Sequence, residues 1–188
     1  MRGIFRGLTV TLCALLMAGC DWLLETDPVE NDISHLTKDV EMVAVSATIK
    51  HFSGVYAEYP ERENFIIELL GTPHGDVTEA MILDLLAPKG NPSAAGTYEV
   101  SSKGEYIALP RYAVVDEQTG FLYYGGCYYG QAVKGIIKDY FGFLTEGEVR
   151  VAELEDGSYH IEVAAKSGNY TVSVTYDGTP TKVENVKQ

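Results

Sequence analysis

The feature that most constrains the fold is a series of short segments in which apolar and polar residues alternate. The clearest is residues 170–176, where Tyr170, Val172, Val174 and Tyr176 are separated by polar residues. Side chains two positions apart share one face of a β-strand, whereas one face of a helix needs a spacing of three to four. The C-terminal third is therefore predicted to be β-structure.

The turns in this third predict how its strands pair. Apolar segments lie on both sides of Asp156 and Gly157, a residue pair typical of a tight hairpin turn. A second turn at residues 166–169 leads into the segment 170–176. We therefore predict a three-stranded antiparallel meander at this end of the chain.

Similar segments precede the meander. Alternation runs from Glu41 to Tyr59, and shorter apolar segments bounded by Gly, Pro, Asn or Asp follow. The segment at residues 78–86 could equally begin a short helix, with Thr78 as its N-cap and Pro88 as its stop.

The composition favours β-structure for the whole domain. The chain has 13 Tyr and 19 Gly, and nothing in it suggests an alternation of strands and helices. The sequence therefore predicts an all-β fold, either an antiparallel sandwich or a partly closed barrel. Its single β domain is expected over residues 40–182, with a tail at 183–188.

The first 19 residues have the organisation of an export signal. Two arginines precede a short apolar stretch at residues 8–17. That stretch is too short for a transmembrane helix, which needs roughly 20 apolar residues. Residues 16–20, Leu-Met-Ala-Gly-Cys, resemble the lipobox of bacterial lipoproteins. The resemblance implies cleavage before Cys20 and lipid, typically including palmitate, on that cysteine. The following residues are largely acidic and polar with little periodicity, so residues 20–39 are expected to carry the lipid and form a flexible tether.

The net charge of the chain argues against a nucleic-acid partner and against electrostatic binding to a membrane surface. Removal of the signal would take two of the 14 Lys+Arg, so 12 basic residues would face 27 Asp+Glu, a net charge of 12 − 27 = −15. Such a surface repels phosphate backbones, and the chain has no basic cluster. We therefore expect no nucleic-acid partner and a membrane contact through the lipid alone.

A single thiol would remain in the processed chain. Cys13 would leave with the signal and Cys20 would be acylated, so Cys127 would have no partner for a disulfide. A lone cysteine between Gly126 and Tyr128 is more typical of a buried position than of a reactive one.

The sequence offers little for catalysis or metal binding. Residues 74–79 hold a histidine and two carboxylates that a divalent cation could use, but a polar loop explains them better. Asp84, among apolar residues, is expected on the outward face of its strand. A hydrolase would need two carboxylates in one cleft, drawn from Glu68, Asp84 or Asp116. Since no nucleophile or nucleotide motif is present, we predict a protein without catalytic residues, metal or cofactor.

The densest unusual segment is residues 121–130, which contain Tyr123, Tyr124, Tyr128 and Tyr129. Tyrosine offers a flat apolar face and a polar tip, which suits the binding of a glycan or a protein. Alternatively, these tyrosines are divided between core and solvent across two strands, with the two glycines between them forming a bend. Both interpretations stay open at this point.

The order of strand and turn segments resembles that of uncharacterised β-rich lipoproteins from Bacteroidota-type Gram-negative bacteria. The segments that carry the resemblance are residues 64–69, 83–88, 95–100, 156–161 and 170–178. It covers most of the processed chain and implies a lipoprotein of the cell envelope, with the outer membrane as the expected location.

These observations give a leading hypothesis and an alternative. The leading hypothesis is a lipid-anchored envelope module that binds a glycan or an envelope protein through an aromatic face. The alternative is a structural component that pairs an exposed strand edge with a partner chain. A Lys or Pro on that edge would argue against the alternative.

Overall fold

The structure is a computed structural model that describes residues 34–53, 56, 58–115, 122–134 and 136–183. The predicted signal, the lipidation site Cys20, most of the tether, Asp116 and residues 184–188 lie outside the described residues. Residues Ile33–Gln188 form one compact unit.

The described part of the chain contains strands and no helix. In chain order the strands are β1 (Val40–Ser53), β2 (Arg62–Gly71), β3 (Val77–Pro88), β4 (Gly96–Val100), β5 (Ile107–Ala108), β6 (Tyr112–Val115), β7 (Leu122–Gly125), β8 (Tyr128–Val133), β9 (Ile136–Phe143), β10 (Glu146–Glu153), β11 (Tyr159–Ser167), β12 (Tyr170–Gly178) and β13 (Thr181–Val183).

Eight of these strands form a closed barrel. Its order is β1, β2, β3, β5, β4, β10, β11, β12 and back to β1. Most neighbours are antiparallel, but β1 with β12 and β4 with β5 are parallel pairs. Strand β13 pairs with β1, β8 and β9 extend from β3, and β6 with β7 forms a separate two-stranded sheet. The all-β prediction is confirmed, with the barrel rather than the sandwich formed.

The predicted meander is confirmed as β10, β11 and β12. Gly157 turns the first hairpin with a φ of 80°, and Gly168 turns the second with a φ of 59°. Val172, Val174 and Tyr176 are all buried, as their alternation requires. The burial of one strand face and the residues in the turns thus specify the same strand pairing in this part of the chain.

The ambiguous segment at residues 78–86 is the centre of strand β3 and not a helix. It pairs with β2 along one edge and with β8 and then β5 along the other. Alternate residues Met81, Leu83 and Leu85 are fully buried in the barrel core. Pairing on both edges overrides a local helix propensity, because it satisfies the backbone while burying this face.

Side chains fill the barrel interior, as they do in other barrels of eight strands. The largest fully buried ones include Phe65, Ile67, Leu69, Tyr98 and Ile161. Burying each such side chain stabilises the fold by about 1.5–3 kcal/mol. The described part of this interior is therefore a packed core.

The chain before β1 also packs on this domain. Leu36 is 5% exposed and belongs to the core, and Ser34 forms a bridge with Gly142 on β9. Asp39 accepts a hydrogen bond from the backbone N–H of Thr171 at 2.9 Å. This contact lowers the pKa of Asp39. Residues 34–39, which were assigned to the tether, are therefore attached to the barrel.

Cys127 lies in the core and is fully buried, so the prediction of a buried thiol is confirmed. Its sulfur accepts the backbone N–H of Asp84 at 3.2 Å. Burial, reinforced by the charge of Asp84, raises the pKa of the thiol. The thiolate that would react with an oxidant or a metal is therefore suppressed.

Candidate functional site

The predicted tyrosines are divided between two sides of the sheet. On β8, Tyr129 points into the core and is 1% exposed, while Tyr128 points outward and is half-buried. Alternation between core and surface is thus confirmed for this pair. Tyr123 and Tyr124 lie on β7, opposite β6, but their side chains lie outside the described residues.

Tyr129 has a structural environment. Its hydroxyl donates a hydrogen bond to Glu79 at 2.5 Å, and its ring meets the ring of Tyr140 edge to face at 6.3 Å. Burial and the contact with Glu79 raise the pKa of Tyr129. The phenol is therefore neutral, and it does not reach the outward side of β8.

Tyr128 belongs to a cluster of aromatic rings on the outward side of β8 and β9. Its ring centroid lies 5.3 Å from that of Phe143, which meets Phe141 edge to face at 6.0 Å. His35 stacks on Phe141 at 4.7 Å, and the guanidinium carbon of Arg111 lies 5.3 Å from the centre of the Phe143 ring. We refer to these five residues as the outer aromatic face.

Strand register assembles this face. Tyr128 is directly opposite Phe143, and Gly130 is opposite Phe141. Phe141 and Phe143 are two positions apart, so both side chains leave the same side of β9. Because Gly130 has no side chain, the ring of Phe141 has room beside β8.

A close backbone approach brings in the arginine. Gly126 has a φ of 109°, and a Cβ there would lie 2.4 Å from the carbonyl oxygen of Pro110. Only glycine allows the two segments this close, which holds Arg111 beside Phe143. One interpretation of the sequence placed a bend at Gly125 and Gly126, but nothing in the local pattern indicated which segment these glycines would contact.

Tyr128 is also part of a row of outward-facing residues that lie side by side on neighbouring strands. The registers place Thr48, Glu68, Ile82 and Tyr128 side by side on β1, β2, β3 and β8, with Phe143 at the end. Glu68 and Ile82 are half-buried. Burial, with a smaller contribution from the charge of Glu68, raises the pKa of Tyr128. The row thus combines aromatic and apolar surface with a carboxylate and a neutral phenol.

Asp84 is on the outward side of β3, as expected, but it is not in solvent. It is 2% exposed, and its carboxylate accepts hydrogen bonds from the hydroxyl of Tyr56 and the side-chain amide of Asn64, both at 2.7 Å. It is buried although it faces outward, because Tyr56, which packs against a second small core of Leu86, Ile107 and Leu109, covers this part of the barrel wall. Asp84 therefore holds the covering segment in place.

The polar loop at residues 74–79 is used for local contacts. The carboxylate of Asp76 pairs with Lys134 at 3.6 Å, and His74 forms a backbone bridge with Val77. Among the described residues, no group of three His, Cys, Asp or Glu side chains is placed to hold a metal ion. Likewise, no helix in the described ranges is long and apolar enough to cross a membrane.

Fold and site together define a closed mixed β-barrel with an aromatic face on β8 and β9, the two strands that extend from β3. Comparisons of the chain with protein-family models, with curated proteins and with solved structures find no match. The fold and the contacts described above are therefore the basis for a functional proposal.

Proposed function

We propose that this protein is a non-enzymatic, lipid-anchored binding module of the bacterial cell envelope, and that it holds a glycan on its outer aromatic face. The observation that carries the proposal is the cluster of Tyr128, Phe141, Phe143, His35 and Arg111 on one side of β8 and β9. The lipobox-like sequence before Cys20 supports the anchor and an outer-membrane location.

The chemistry of this face suits a sugar chain. Aromatic rings present flat apolar surface against which the C–H face of a sugar ring can pack. Arg111 and Glu68 add a donor and an acceptor for hydroxyl groups at the edge of the rings. The net charge of −13 disfavours a polyanionic glycan, so we expect a neutral one.

An assembly role through strand pairing is less well supported. Strand β9 is the last strand on its side of the large sheet, so its outer edge is the natural place for a partner strand. That edge carries Lys138, and Ser34 and His35 of the same chain already bond to its end at Gly142 and Phe141. Lysine on an edge strand discourages pairing with another chain.

A hydrolase is also less well supported. Asp84 is buried and hydrogen-bonded to Tyr56 and Asn64. A buried carboxylate with two donors is unavailable to a substrate. Asp116 lies outside the described residues.

The proposal is tested by glycan-array screening followed by calorimetric titration of the best ligand. Replacement of Phe141 by Ala removes the ring that lies between Phe143 and His35, and replacement of Tyr128 by Ala removes one end of the face. Either variant is expected to weaken binding by about tenfold or more, because buried aromatic contacts dominate such interfaces.

The matched control is Tyr106→Ala, which removes a half-buried tyrosine that packs on the barrel core against Tyr98 of β4. It should leave the affinity unchanged. Equal losses in the control and in Phe141→Ala would contradict the proposal. Saturable binding of an envelope protein but of no glycan would assign the face to a protein partner instead.

A further inference from the structure

A pocket lies at one end of the barrel, and none of its lining residues belongs to the outer aromatic face. It is a pocket of about 230 Å³ where the end of β1, the beginnings of β2 and β11, and the end of β10 meet strand β13. Its volume is below the range of about 300–1,000 Å³ typical of drug-sized ligands. The site therefore suits a small molecule.

The floor of this barrel-mouth pocket is apolar and rigid. Ile49, Phe65 and Ala94 line it, with exposures of 5%, 2% and 1%. These residues are part of the barrel core and cannot move aside without disturbing it. A ligand would therefore place an apolar face against them.

One wall of the pocket is a polar network around Glu153. The ammonium of Lys182 lies 2.7 Å from its carboxylate and 4.7 Å from the centre of the Tyr159 ring. Hydrogen bonds from Lys182, and to a smaller degree from Tyr159 and Ser93, lower the pKa of Glu153 against the effect of burial. The carboxylate is therefore ionised at neutral pH and offers acceptors beside an ammonium donor.

The opposite wall also carries a hydrogen-bonded pair. The Nε2 atom of His51 lies 3.0 Å from the carboxylate of Glu63, and the imidazole stacks on Phe65 at 4.5 Å. An anionic ligand would compete with Glu153 for Lys182 in a chain of net charge −13. A cationic ligand would compete with Lys182 for Glu153. A neutral ligand preserves both pairs.

We propose that the barrel mouth binds a single neutral sugar ring, with vicinal hydroxyl groups on Lys182 and Glu153 and an apolar ring face against Ile49 and Phe65. A diol can accept from the ammonium and donate to the carboxylate at once, which matches the two ends of this ion pair. The ring is either a free monosaccharide or the terminal residue of a glycan. The proposal does not depend on the outer aromatic face.

The experiment titrates the full chain with glucose and N-acetylglucosamine as neutral probes, and with glucuronate and glucosamine as charged ones. The readouts are calorimetry and the imidazole NMR signals. The neutral sugars are expected to saturate a site and to shift the His51 signal, while the His160 signal stays unchanged. A disaccharide of the better sugar separates the two sources, because tighter binding indicates a glycan end and equal binding indicates a free sugar.

The matched variants are Lys182→Met and Lys166→Met. Lys166 forms an ion pair of similar length, 2.6 Å, with Glu146 in an exposed position away from the pocket. Lys182→Met should weaken sugar binding by about tenfold, the loss of a hydrogen bond to a charged group, and Lys166→Met should not. Unchanged unfolding midpoints verify that both variants fold.

Three results would overturn this proposal: no saturable response to either neutral sugar, tighter binding of a charged sugar, or equal affinity in Lys182→Met and the wild type. Phe141→Ala should leave sugar binding at the mouth intact. Failure of the outer face and failure of the barrel mouth are thus distinguishable in the same set of proteins.

Discussion

At the scale of single residues, polar side chains in unexpected places identify the contacts on which the fold depends. Asp84 is a carboxylate on a barrel strand that is covered by another segment of its own chain. It joins three parts of the fold, since Tyr56 and Asn64 donate to its oxygens and Cys127 accepts its backbone N–H.

Replacing Asp84 with Ala is expected to lower the free energy of unfolding by about 2–4 kcal/mol. The substitution leaves the Tyr56 hydroxyl and the Asn64 amide without their acceptor in a buried place. Urea denaturation measures the change. The control, Asp156→Ala, removes an exposed carboxylate that accepts the backbone N–H of Ser158, and should cost about 1 kcal/mol or less. Equal losses in the free energy of unfolding for the two variants would show that the buried contacts of Asp84 contribute no more than one exposed hydrogen bond.

The site residues show how far local pattern can be taken. For Tyr128 and Tyr129 the second of the two open interpretations holds, because side-chain direction in a strand depends only on parity. Phe141, Phe143 and His35 were missed, since they join Tyr128 only through strand pairing and the contact of residues 34–35 with β9. The identity of a neighbour across a strand pair is not encoded in the periodicity of either strand.

At the scale of elements, glycines show where two backbones are too close for any side chain. Gly147 on β10 has a φ of 123°, and a Cβ there would lie 2.4 Å from the Cα of Ala165 on β11. Gly157, in the turn of the same hairpin, has a φ of 80° and open space around the equivalent position. Both positions need a backbone with positive φ, but only at Gly147 would a side chain collide with a neighbouring strand.

This difference predicts unequal costs for the same substitution. Gly157→Ala should destabilise the protein by about 1–2 kcal/mol, because only the left-handed backbone is unfavourable. Gly147→Ala should cost about 3 kcal/mol or more, because β11 must also move away. Thermal or urea unfolding of the two variants makes the comparison. A larger loss at the turn than at the strand would contradict this account of the hairpin.

At the scale of the whole molecule, the barrel closes between distant parts of the chain. The meander of β10, β11 and β12 could be predicted because tight turns join its strands. The parallel pairing of β1 with β12 could not, because more than a hundred residues separate the partners and no turn connects them. Sequence pattern therefore predicted a β-rich domain, and only tertiary packing determined that its ring is complete.

Cys127 provides a probe of the closed state. Because its thiol is fully buried and burial raises its pKa, a thiol reagent can reach it only when the barrel opens. In a chain with Cys13 and Cys20 replaced by Ser, labelling should be at least about a thousandfold slower than in urea, a protection typical of core positions. Labelling at the same rate with and without urea would mean that the core around Cys127 is open in the native state.

The parallel pairing of β1 with β12, which closes the barrel, also has a consequence for how the chain folds. Strand β1 is synthesised near the beginning, but its neighbour β12 is nearly the last strand to be completed. Until then, residues 40–44 have no partner along that edge within their own chain, and an open edge can pair with another copy. A chain whose β12 has not yet paired can therefore join another copy through residues 40–44, so the closing of the barrel competes with association between chains.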